Sequence, residues 1–127
     1  MTGAEAARIA RDFLAALEAG DRAMAEAMAA PGFAAESPGG NRTELAALLD
    51  RLKSRYVSLV KGVEVTDVAE TEDGFAVYFF GRMSGEFTGG EGAFSDVRFM
   101  DRLTVRQDGK IAAQHMWNDF GHATARK

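Results

Sequence analysis

The chain has no cysteine, which excludes disulfides, thiolate metal sites and a cysteine nucleophile. It has no apolar run long enough to span a bilayer, and Met1–Phe13 lacks the apolar core of a signal peptide, so a cytoplasmic location without a membrane partner is expected. The 15 lysines and arginines are scattered and the formal net charge is −4. That balance offers no footprint for nucleic acid. The glycines around Gly89 and Gly90 do not follow phosphate-loop spacing ahead of a helix. Of the two histidines, His115 has Asp119 and His122 within reach in sequence, but the spacing fits no zinc pattern. Neither a metal nor a cofactor is expected. Internal repeats and linkers are also missing.

What is present suits one globular domain spanning residues 1–127, with 46% hydrophobic and 27% charged residues. Thr2 and Glu5 form a capping-box pattern ahead of Ala6, Ile9, Ala10, Phe13 and Leu17, which recur at helical spacing up to a left-handed stop at Gly20. Asp21 caps a second, short helix through Met28, which Pro31-Gly32 ends. Phe33 to Glu36 reads as a short extended piece. A third helix, capped by Asn41 or Thr43, carries the stripe Leu45, Leu48, Leu49, Leu52 and Tyr56. Strands follow from Val63, with Phe75 to Met83 apolar on both faces as in a covered central strand. Ser84 to Gly92 holds four glycines and reads as a hairpin tip or pocket rim. Residues after Gly121 read as a polar tail. Helices first and strands after predict an α+β fold, three helices on one face of a curved, mostly antiparallel sheet.

The stretch from Val97 to Asp119 organises the rest. Two strand-like runs flank Gln107-Asp108-Gly109-Lys110, a hairpin signal. In the first run Val97, Phe99, Leu103 and Val105 share one face, while Arg98, Met100, Arg102, Thr104 and Arg106 share the other. Asp101 breaks the pattern in the middle of the apolar face. A carboxylate there costs several kcal/mol unless it is paired, hydrogen-bonded or kept protonated.

The order of these elements, with Leu17-Glu-Ala-Gly-Asp21, Glu36-Ser-Pro-Gly-Gly, Asn41-Arg-Thr-Glu-Leu-Ala and Arg106-Gln-Asp-Gly-Lys-Ile111, resembles the NTF2-like cone. Within that superfamily it is most similar to the SnoaL-like proteins and the ketosteroid isomerases. The resemblance implies a pocket between the helices and the concave face of the sheet, and no single activity. Asp101 falls where the isomerases keep a protonated aspartic acid that donates to a developing oxyanion. Where they have a catalytic base this chain has Ser37, with Glu36 beside it. Phe13 and Leu49 stand where they have pocket tyrosines, and Met116 stands where SnoaL-like cyclases place an acid. Arg82, Arg98 and Asp101 supply the residue types, without the positions, of the limonene-epoxide hydrolases' Asp-Arg-Asp arrangement.

The expected pocket is therefore lined by Phe13, Leu17, Leu49, Tyr56, Phe99, Asp101, Gln114, Met116 and Asn118, and it takes a small hydrophobic ligand. Asp101 is the candidate catalytic residue. His115 joins it if a one-residue bulge turns His115, Trp117 and Asp119 inward; plain alternation puts Gln114, Met116 and Asn118 inside. Three functions stay open: an isomerase-, cyclase- or dehydratase-type enzyme acting by proton transfer, a non-catalytic binder of a similar ligand, and an association domain. Long stems and aromatics on the second sheet face (Arg98, Met100, Arg102, Arg106, Tyr78 and Phe80) predict a sheet-to-sheet homodimer.

Overall fold

Residues 1–121 are described by the computed structural model. The expected polar tail, with His122, lies outside the described residues. Helix α1 (Gly3–Ala19) starts where the Thr2 hydroxyl accepts from the Glu5 N–H at 3.1 Å, and it ends in left-handed Gly20 at φ 67°. Helix α2 (Arg22–Met28) is capped by Asp21, whose carboxylate accepts from the Met24 N–H. Strand β1 (Ala29–Glu36) begins earlier than the expected Phe33. Pro31-Gly32 lies inside it, where its register slips between Ala29 and Ala34. After the short β2 (Arg42–Thr43) comes α3 (Leu45–Arg55). Its cap position is Glu44, which makes no side-chain bond, so neither Asn41 nor Thr43 caps it.

Tyr56 ends α3 and opens β3 (Tyr56–Thr71), a strand well longer than the Val63 start expected of it. Strands β4 (Gly74–Phe87), β5 (Gly92–Arg106) and β6 (Ile111–Asn118) complete the set. The sheet order is β2-β1-β6-β5-β4-β3, antiparallel throughout except that β1 runs parallel to β6. It is curved and does not close on itself. The turn at its centre forms as its Asp-Gly pair predicts, with Gly109 at φ 84° and the Arg106 N–H donating to the Lys110 carbonyl. The glycine-rich tip after β4 is tied back to the end of α3, because Thr88 donates through its N–H to Arg55 O and through its hydroxyl to Ser54 O.

Helices α1 and α3 pack on the concave face, burying Phe13, Leu14, Leu17, Leu48 and Leu49 against Val77, Phe79, Leu103 and Val105. The alternation of β5 is borne out: Val97, Phe99, Asp101, Leu103 and Val105 are buried, and the intervening residues lie on the convex side. Strong coiling of the β3–β4 ribbon needs close approach of the two backbones. A Cβ on Gly81 would lie 1.9 Å from Gly62 O, and one on Gly85 would lie 2.1 Å from Ser58 O. Only glycine fits at such crossings. Lys61, opposite Met83, sits between them.

Candidate functional site

Lys61 is the residue that gives Asp101 a partner. Asp101 is wholly buried, and its Oδ2 accepts from the Lys61 ammonium at 2.6 Å. The Lys61 side chain is 12% exposed and also lies 5.3 Å from the Phe99 ring centroid. The ammonium is thus held by two β5 side chains from the same face, one by charge and one by cation–π attraction. Gln114 offers its Nε2 to the same carboxylate oxygen at 3.5 Å, the long limit of a hydrogen bond. Asp101 Oδ1 and Gln114 Oε1 are buried with no hydrogen-bond partner among the described residues. An ammonium thus stands beside the carboxyl that the resemblance implied to be without a cation.

The pair forms part of the wall of a cavity of about 300 Å³ between α3, β3 and the concave sides of β5 and β6. Of the residues expected in the pocket, Tyr56, Phe99, Asp101, Met116 and Asn118 line this cavity. Phe13 does not, being packed against Phe33 in the core with ring centroids 5.5 Å apart. Leu17 and Leu49 line a separate cleft between the end of α1, α3 and the start of β3. Gln114 is fully buried behind Asp101. A larger, open depression of about 750 Å³ over β1, β2 and the start of α3 contains neither member of the ion pair.

The last strand follows plain alternation. Asp101 pairs with Met116, Phe99 with Asn118 and Leu103 with Gln114, and the register slips only past Thr104, so no bulge turns His115 inward. His115 is instead opposite Arg102 on the convex side. Its Nε2 is 3.1 Å from Glu36 Oε2, and its ring stacks on Trp117 at 6.1 Å. The structure therefore does not bring His115 and Asp101 together. Glu36 is turned to His115, and the Ser37 hydroxyl, which lies in the cavity wall, donates to the Asn41 carbonyl.

Residues not foreseen in the wall include Lys61 and Leu59 on β3, Met83 on β4, and Leu48, Arg51, Leu52 and Arg55 on α3. The α3 group had a legible signal, since i, i+3, i+4 and i+7 share one helix face. Arg55 sits over the rings of Phe87, Phe120 and Tyr56 at 5.3, 5.6 and 5.7 Å, within an aromatic cluster that also holds Phe94.

Solved structures share the whole architecture. An NTF2-like protein from Burkholderia xenovorans is 24% identical, with 99% of this chain and 97% of that one covered and a TM-score of 0.76. PrhC from Penicillium brasilianum is 11% identical over 98% of this chain and 87% of its own, at a TM-score of 0.80. A Catenulispora acidiphila protein with a ketosteroid isomerase-like fold, solved in complex with trimethylamine, is 13% identical over 86% and 83%, at 0.69. At such identities the likeness concerns the fold alone. No protein of curated description is matched by the sequence. The SnoaL-like domain, however, matches residues 10–114, most of the chain, and the chain belongs to the SnoaL-like family.

Proposed function

We propose that the chain is a pocket protein for a small, largely apolar carbonyl compound and that it moves a proton on that compound at Lys61 and Asp101. The observation that carries this reading is a buried ion pair in the wall of a small cavity that Leu48, Leu52, Leu59, Met83 and Phe99 also line. A buried pair used only for stability is a poor device, because apolar residues of similar volume often do as well or better. An ammonium has three donors, so its bond to Asp101 leaves capacity for a ligand oxygen. A carbonyl oxygen bound there would have its developing enolate charge stabilised by the ammonium as the adjacent C–H bond breaks. The Asp101 carboxylate, in the same cavity wall, takes the proton and returns it to a second carbon in an isomerisation.

The test is deuterium exchange next to the carbonyl, followed by NMR in heavy water across small cyclic ketones and enones. Exchange faster than in buffer is expected, and Asp101→Asn and Lys61→Met should each slow it about 100-fold or more. Compounds that raise the melting temperature yet exchange only at the buffer rate would replace this reading with that of a binder.

A homodimer through the convex sheet face belongs to the same proposal. Val65, Phe80, Met100 and Trp117 stand opposite one another on four successive strands, and Val65, Phe80 and Trp117 are exposed.

A further inference from the structure

The charges around the cavity do not balance. Arg51, Arg55 and Lys61 line it against the single carboxylate of Asp101, in a chain whose net charge is −4. Lys61 is committed to Asp101, which leaves two guanidiniums. Neither Arg51 nor Arg55 makes an ion pair among the described residues, a state they share with Arg8, Arg11, Arg42 and Arg102, while Arg22, Arg82, Arg98 and Arg106 are paired. What sets Arg51 and Arg55 apart is that both line the cavity. The acid next to Arg51 in sequence, Asp50, is taken by Arg22 at 2.7 Å. Arg55 is held over aromatic rings, a contact that fixes its position without neutralising its charge. Both arginines come from one face of α3, a turn apart.

The depth of these groups matters. Asp101 is wholly buried, Lys61 nearly so, Arg51 partly, and Arg55 is exposed. Positive charge thus runs from the ion pair to the mouth, with hydrocarbon between, and a cleft lined by one sign of charge concentrates counter-charged solutes. Guanidiniums are planar, permanently charged forks that match a carboxylate. A volume of about 300 Å³ is at the small end of ligand sites.

We infer that the cavity takes a small apolar carboxylic acid, its carboxylate held at the mouth by Arg51 and Arg55 and its body laid inward toward Lys61 and Asp101. The inference rests on the pocket reading above and adds the class of ligand to it. It also orients that ligand, since the anion at the mouth leaves the far end of the molecule to the ion pair.

Matched acids and neutral amides separate the two ideas. Phenylalkanoic acids with short chains and the corresponding phenylalkanamides are titrated into the full chain by calorimetry at low salt. The acid should bind about tenfold more tightly than its amide. Arg51→Gln and Arg55→Gln should each remove part of that preference, and together all of it, while the chain stays folded and still binds the amide. Equal binding of acid and amide to the unmodified chain would overturn the inference and leave the pocket reading standing. Binding of neither, by a folded chain, would overturn both. A preference that survives the double substitution would overturn the assignment to these arginines.

Discussion

At the scale of single residues, the chemistry turns on how Asp101 is compensated. Its place among Val97, Phe99, Leu103 and Val105 was visible from alternation alone. Its partner was not, because lysine reads as a solvent residue wherever its neighbours leave the pattern ambiguous. The 2.6 Å contact makes Asp101 half of an ion pair, and removing one half strands the other. Asp101→Asn and Lys61→Met should each destabilise by roughly 3–5 kcal/mol. The two losses should differ in size. A stranded ammonium keeps more contact with water than a stranded carboxylate, since the Lys61 side chain is 12% exposed and that of Asp101 1%. Lys61→Met should therefore be the costlier change, and Lys61→Met with Asp101→Leu should recover most of the loss. Urea midpoints of the three variants measure this, and equal small losses would show that the pair is not desolvated.

At the scale of elements, the cavity depends on two joins that periodicity does not mark. One is the passage from α3 directly into β3 at Tyr56. Its apolar stripe fits a helix up to that residue, and nothing after it stops the chain before the strand. The other is the tight coil of β3 on β4, where Gly81 faces Gly62 and Gly85 faces Ser58. Gly81→Ala should push β3 off β4, because the added Cβ would meet backbone at 1.9 Å and backbone cannot rotate away. A loss of about 1–3 kcal/mol is expected, typical of overpacking. Since Lys61 is carried on the displaced strand, ligand affinity should fall as well. By contrast, a Cβ at Gly90 meets nothing within 4 Å. Gly90→Ala tests only its left-handed backbone at φ 78°, and should leave ligand affinity unchanged. Denaturation and calorimetry on the two variants distinguish coil strain from turn strain.

At the scale of the whole molecule, the proposed dimer rests on the convex face. Side by side across the sheet, Val65, Phe80, Met100 and Trp117 make an apolar row, flanked by Arg102 bonded to Tyr78. Phe80 is 37% and Trp117 48% exposed, large for aromatics with no function of their own. Light scattering at micromolar concentration should give twice the 13.7 kDa of one chain, and Phe80→Asp should return it to a single chain with its fold intact. A mass of one chain for the unmodified protein would remove the dimer. No described helix is long and apolar enough to cross a membrane.

The sequence by itself determined the three helices, the caps of the first two, the central hairpin, the face on which Asp101 lies and the family resemblance. Those features rest on local rules: one side chain capping its own helix, an Asp-Gly turn, and a period of two along a strand. Tertiary structure alone decided which residues surround Asp101. Lys61 reaches it from 40 positions away, through a coil set by backbone contact at glycines rather than by side-chain pattern. Register likewise settled His115 on the convex face, since a single slipped residue would have exchanged it with Met116. Phe13, Leu17 and Leu49 have the right chemistry for a pocket wall, yet they fill the core or a neighbouring cleft. An apolar stripe states that a helix face is buried, and only the packed fold states whether it is buried against protein or beside a space.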